Sequence, residues 1–181
     1  MRWLVGVLLG AVVVHFVAVA ALPYAIMRAA MGRMQRAATN ELAHSPLATA
    51  ESRGIVRPSP DLAYSSLVFD VSECALEVRV PLTAPYTSLS GFAANTDNFF
   101  AVNDLGTSAK VIGELQVVLW GPTLRASWDA VGDARIVHSP SDRGILLVRR
   151  VVPSQTAFAE IDAARRRAVA LEHCPHSDVA Q

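Results

Sequence analysis

The chain has 181 residues, 16 Lys+Arg against 16 Asp+Glu, 52% hydrophobic residues and 18% charged ones. Soluble domains carry about 25% charged residues, so an apolar segment weighs on the average. The neutral balance excludes an ordinary basic nucleic-acid binder, the hydrophobicity excludes disorder, and two cysteines exclude a disulfide framework or a four-cysteine zinc site.

The apolar excess lies at the start. Residues 3–22 read WLVGVLLGAVVVHFVAVAAL, with no charge and one histidine, His15. As a helix this stretch is about 30 Å long, the thickness of a bilayer core. Two readings compete. One is a single-pass membrane anchor over 1–27. The other is a signal peptide with Arg2 as its basic start and Ala18-Val19-Ala20 as its cleavage site. The stretch is long for a signal peptide, which favours the anchor. Arg28, Arg33 and Arg36 follow the span and only Arg2 precedes it. That count keeps the C-terminal part cytoplasmic, whereas a signal-anchor exports it. Gly6-x-x-x-Gly10 is a spacing that lets two membrane helices approach closely, and it marks a helix-pairing face. A lone His15 reads as a neutral imidazole rather than a proton path.

Residues 28–57 read as a juxtamembrane helix and linker. Met27, Met31, Met34 and Ala38 recur at helical spacing. This face either lies on anionic headgroups or packs on the following domain. Pro46, Gly54, Pro58 and Pro60 then punctuate a linker. Charge divides here. Up to Arg57 there are six Arg and two Glu, and beyond it ten basic residues and fourteen acidic ones. A basic membrane-proximal end thus precedes a mildly acidic domain.

Residues 58–173 form the globular part, and its pattern is mainly β. Strands are expected over 64–71, 74–80, 86–92, 98–102, 111–120, 135–138 and 144–152. The segment 74–80 alternates most clearly, with Cys74, Leu76, Val78 and Val80 inward and Glu77 and Arg79 outward. About seven strands with turn signals between them predict a sandwich or barrel. A C-terminal helix follows, with Ser154 as N-cap, an apolar stripe of Phe158, Ile161, Ala168 and Leu171, and an Asp162–Arg166 pair at i, i+4. Arg165-Arg166-Arg167 reads as a solvated charge run. Residues 174–181 read as a flexible tail.

Five blocks now line up in order: VRPSPDLAYSSLVFDVS, LEVRVP, PYTSLSGFAANTDNFFAVND, VVLWGP and VHSPSDRGILLVRRVV. Over residues 57–152 they resemble the bacterial family called domain of unknown function 1254. The resemblance implies a β-rich domain, frequent membrane attachment, no assigned reaction, and a companion protein of the domain of unknown function 1214 family as partner. It tips the orientation towards export, giving an inner-membrane protein with a periplasmic domain. There are departures. Glu73-Cys74-Ala75 stands where many relatives have Gly-Pro, and Thr123-Leu124-Arg125 follows Gly121-Pro122 where longer relatives carry Gly-Trp. The companion domain is not in this sequence, so a cleft between two domains would need a second protein.

Candidate chemistry is sparse, and whether the chain is an enzyme is left open. Asn95, Asp97 and Asn98, with Asn103 and Asp104, form the densest polar cluster, without the offsets of a Ca²⁺ loop. Turn chemistry accounts for it better. One of Arg149 and Arg150 must face inward if the last strand alternates, and a buried Arg calls for a carboxylate such as Asp70 or Asp97. Arg149 is taken as the anchor of a candidate ligand pocket with Tyr64, Asn95, Asp97 and Asn98. The competing account is a structural Arg–Asp network. His138 and Ser139 are neighbours on a strand and point to opposite faces, and no Gly-x-Ser-x-Gly elbow is present. His173-Cys174-x-His176 has metal-compatible types on a loose tail and reads as incidental. Cys74 and Cys174 either pair in an oxidising compartment or leave Cys74 as a small buried residue. Phosphate-loop and dinucleotide motifs are absent from the sequence, and no cofactor or metal is expected. Two readings follow: a membrane-anchored envelope module that binds a partner, and a small-ligand or enzymatic domain using the Asn/Asp/Arg cleft.

Overall fold

The apolar run and the methionine stripe belong to one helix. In the computed structural model, which describes residues 2–34, 37–49, 51–52, 58–83, 85–106, 110–111, 113–124 and 134–174, α1 runs from Arg2 to Met34. Pro23 lies inside it. Proline removes one helical hydrogen bond, which membrane helices tolerate. The span side chains are exposed, with Trp3 at 89%. Met27, by contrast, is buried and, with Ala30, Met31 and Met34, packs on Val68, Ile145 and Phe92. Of the two readings of the methionine face, the structure realises packing on the domain. Ala38 lies beyond the helix end.

Ten strands follow: β1 (Ala43–His44), β2 (Leu62–Asp70), β3 (Ala75–Pro81), β4 (Thr87–Ala93), β5 (Asn98–Asn103), β6 (Lys110–Val111), β7 (Glu114–Trp120), β8 (Arg135–His138), β9 (Arg143–Val151) and, after helix α2 (Phe158–Arg165), β10 (Val169–His173). All seven expected strands are present. The one read over 111–120 is divided into β6 and β7, and β1 and β10 are added.

The strands build two sheets. One has the order β1-β2-β9-β4-β5, antiparallel throughout. The other has β10-β3-β7-β6, with β8 parallel to β7. Period-two alternation sends one set of side chains from each sheet into a shared core. Leu67, Phe69, Leu89, Leu146 and Val148 come from the first sheet, and Leu76, Val78, Val80, Leu115, Val117 and Leu119 from the second. Gly91 lies opposite Phe100 at a register shift between β4 and β5. A Cβ there would come 2.3 Å from the Phe100 ring, so only glycine fits.

The C-terminal helix is shorter than its apolar stripe suggested. It ends at Arg165, and Ala168 and Leu171 lie outside it. Residues 169–173 instead pair with β3, from Val169 opposite Arg79 to His173 opposite Ala75. A disulfide between Cys74 and Cys174 fastens this strand. Edge pairing and the covalent bond override the helical period. Asp162 and Arg166 do form the expected ion pair, at 2.7 Å.

Candidate functional site

Of the polar residues singled out by sequence, Tyr64 and Arg149 are cross-strand partners, while Asn95, Asp97 and Asn98 lie apart from them. Asn95 and Asp97 shape the β4–β5 turn: Asn95 Nδ2 donates to Asp97 Oδ2, and the Asp97 N–H donates back to Asn95 Oδ1 at 3.2 Å. Asn98 Nδ2 donates to the Gly91 carbonyl at 3.2 Å. These bonds are turn chemistry. Arg149 lies opposite Tyr64 and Ser88, whereas the turn adjoins Gly144. Five residues of strand separate them, about 17 Å. Tyr64 Oη accepts from the Ser59 N–H at 3.0 Å. Gly6 and Gly10 face open space. Asp70 pairs with Arg143 at 3.4 Å. His138 is exposed, Ser139 Oγ donates to the Ser141 carbonyl, and His176 lies outside the described residues. Cys174 is in the disulfide, and His173 pairs with Glu77 at 2.8 Å.

The inward arginine is Arg150, not Arg149. Arg149 is half-buried on the other face of the sheet, and Arg150 is 0% exposed between Ala63 and Thr87. Among the described residues no carboxylate pairs with it. Its Nη2 donates to the Pro81 carbonyl at 3.1 Å, and Nε and Nη1 have no partner among the described residues. Burial, and then repulsion by Arg165, draws its pKa down to about 10, so it stays charged at neutral pH.

Arg165 is the second buried guanidinium, 2% exposed. It shares the helix face of Phe158 and Ile161, and its guanidinium stands 5.3 Å from the centre of the Phe158 ring. Nη1 donates to the carbonyls of Ser45 and Tyr64, at 2.7 and 3.0 Å, and Nε donates to Asp162 Oδ1. Asp162 also accepts from Arg166 Nε at 2.7 Å. The Arg166 hydrogen bond holds the Asp162 carboxyl below its ordinary pKa; burial opposes the shift and Arg165 assists it.

Of these groups Arg166 lines a cleft of about 440 Å³ between the edge strands β1 and β10. Asn40, Glu41, Leu42 and His44 line it on one side, and Arg166 and Ala168 to Leu171 on the other. Asn40 adopts φ 62 and clasps β2, taking the Asp70 N–H on Oδ1 at 2.8 Å and donating Nδ2 to the Asp70 carbonyl. His44 Nδ1 bonds Ser65 Oγ at 2.8 Å. Burial pushes the His44 pKa down, and Arg165, Arg166 and Arg150 push it further against Asp162. Arg166 and His44 are the basic side chains of the lining and Glu41 the acidic one, and Asn40 Nδ2 donates to the carboxylate of Glu172 at 2.6 Å.

Sequence reasoning missed this cluster. Arg165 had a signal, because it falls four residues after Ile161 on the apolar face. His44 had none, since a two-residue strand beside Pro46 has no readable period.

A separate polar knot lies on the outer face of the second sheet. Glu77, 1% exposed, accepts from Arg79 Nε at 2.6 Å, from Gln116 Nε2, and from His173 Nε2. Burial disfavours its charge, but the bonds from Arg79, His173 and Gln116 outweigh burial and hold its pKa at about 2. A depressed carboxyl stabilises the fold above its unfolded pKa, and that contribution is lost as pH falls towards 2. Glu77→Gln is expected to lower stability at pH 7 by no more than about 3 kcal/mol, with the gap from wild type closing between pH 4.5 and 2. Denaturant melts across that range check it; a gap independent of pH excludes the ionised carboxylate as its cause.

The whole is a two-sheet β-sandwich preceded by a long apolar helix, with a cleft at one seam. The chain belongs to the family described as Protein of unknown function (DUF1254), which it matches over residues 39–171. Among solved structures, the VPA0106 protein from Vibrio parahaemolyticus is similar at a TM-score of 0.60 and 14% identity, covering 83% of this chain and 35% of that one. A putative uncharacterized protein from Burkholderia cenocepacia is similar at a TM-score of 0.45 and 15% identity, covering 86% of this chain and 41% of the other. This chain therefore spans well under half the length of either structure. No curated protein gives a significant match.

Proposed function

We propose that this protein is a membrane-anchored binding module of the bacterial envelope, with its sandwich on the periplasmic side of the inner membrane. The observation that carries this reading is the division of α1. Its first two thirds are apolar and exposed, long enough to cross a bilayer, while Met27, Ala30, Met31 and Met34 dock on the domain. Exposed apolar surface of this extent calls for a bilayer or a partner. The Cys74–Cys174 bond supports the periplasmic side, because disulfides persist in oxidising compartments. The companion of family 1214 is the proposed protein partner.

Fractionation tests the reading. The full chain is expected in the membrane fraction after alkaline carbonate washing, and its domain is expected to be cut by protease added to spheroplasts. Release by carbonate overturns the anchor. Protection from protease until lysis overturns the periplasmic orientation.

A further inference from the structure

We propose that Cys74, Cys174 and Glu172 form a thiol-gated site for a divalent cation of the zinc class, closed as a disulfide and opened by reduction. The site goes beyond the reading of the protein as an anchored module and rests on neither the span nor the compartment.

The first argument is the donor set. A carboxylate oxygen of Glu172 and the sulfurs of Cys74 and Cys174 all lie within 4.8 Å of one another. Zinc binds thiolate sulfur at about 2.3 Å and carboxylate oxygen at about 2.0–2.2 Å, so its tetrahedral ligands stand about 3.5–4 Å apart. Thiolate and carboxylate are ligand types that this cation takes, and three protein ligands leave a fourth position for water.

The second argument is the frame. β10 pairs with β3 from Val169 opposite Arg79 to His173 opposite Ala75. The next step of that ladder brings Cys174 opposite Cys74, with Cα atoms 4.2 Å apart. Backbone pairing therefore keeps the thiols together after the bond is cut, and side-chain rotation is enough to part the sulfurs to ligand spacing. Glu172 and Cys174 are two residues apart at the end of β10, so both side chains project to one side. The Glu172 carboxylate accepts from Asn40 Nδ2 at 2.6 Å, and Asn40 is itself clasped to the backbone of Asp70. That hydrogen bond leaves lone pairs on both carboxylate oxygens for a cation. His173 projects to the opposite side, where its Nε2 meets Glu77.

The third argument is access. Cys174 and Glu172 are exposed and Cys74 is half-buried. An external dithiol can reach the bond, as thiol exchange requires. In that exchange the dithiol is oxidised to its own disulfide, and Cys74 and Cys174 are each reduced to a thiol. The cation then forms two metal–sulfur bonds and releases the two thiol protons, while the ionised Glu172 carboxylate joins as it stands. Either fastening, covalent or metallic, holds β10 on β3, so the cation replaces the staple under reducing conditions.

The test uses the full chain in uncharged detergent, reduced with a phosphine and desalted without oxygen. Cobalt(II) is the probe, because thiolate coordination gives it a charge-transfer absorption that sites without sulfur lack. One cobalt per chain is expected to bind reduced wild type with that absorption, zinc is expected to displace it, and the oxidised chain is expected to show none. Cys74→Ser is expected to abolish it. Glu172→Gln, at an exposed position, is expected to keep the fold and weaken the apparent affinity for zinc by at least about tenfold. Zinc is also expected to raise the melting temperature of the reduced chain and not of the oxidised one. No charge-transfer band in reduced wild type, or a band that Cys74→Ser leaves in place, overturns the proposal. Unchanged affinity in Glu172→Gln overturns the three-residue site, and a reduced chain whose melting zinc does not shift overturns the replacement of the staple. Fractionation does not depend on any of these results, so the anchor and the metal site fail separately.

Discussion

Replacing Cys74 and Cys174 together with serine is expected to cost about 2–4 kcal/mol of folding stability. The bond closes a loop with a sequence separation of 100 residues. Cross-linking so long a loop removes much of the unfolded chain's freedom, about 4.7 kcal/mol in the loop-entropy account. The same bond pins the edge strand β10 against the start of β3, and β10 forms one wall of the cleft. Loss of the bond is therefore expected to loosen the cleft wall before the core melts. Denaturant melts of wild type with and without reductant, beside the double variant, measure the effect. A reduced wild type as stable as the oxidised one removes the bond from the account of stability.

Gly144→Ala is expected to destabilise by about 2–3 kcal/mol or to prevent folding. Gly144 is the second residue of β9, between Phe69 and Ala93 on the central strand of the first sheet. A Cβ there would lie 2.2 Å from the Phe92 carbonyl and 2.6 Å from Phe69 Cζ. Neither neighbour has room to yield, since one is backbone in a ladder and the other is a fully buried ring. Gly6→Ala is the control, because open space surrounds that position and no change in domain stability is expected. Gly144→Ala melting with wild type would mean that the sheet adjusts locally around the new methyl group.

The fold was legible where one face of a strand is apolar and the other carries mostly polar side chains. β3 and β7 follow that rule, and Leu76, Val78, Val80, Leu115, Val117 and Leu119 alternate into the core as read. β9 does not. Ile145 is buried beneath α1 while Leu146 faces the core, so the run Ile-Leu-Leu-Val is apolar on both sides. Its parity then carries no signal, and Arg149 and Arg150 exchange roles. β10 was read as helix because Ala168 and Leu171 continue a helical stripe, and propensity cannot foresee a long-range disulfide. The turn residues Asn95, Asp97 and Asn98 were read correctly as turn formers, although their density made them a candidate site. The cleft was illegible because its walls come from two edge strands more than 120 residues apart, and only the topology brings them together.

The docking of the methionine face has a mechanical meaning. Five residues separate Leu22 from Met27 on a continuous helix, a rise of about 7.5 Å. If the span lies in a bilayer, the sandwich is bolted to a shaft rather than hung from a cord, and its compass bearing about the membrane normal is fixed by helical phase. One residue added to the shaft would not lengthen a leash. It would swing the cleft by about 100° around the axis, away from whatever it faces along the membrane plane.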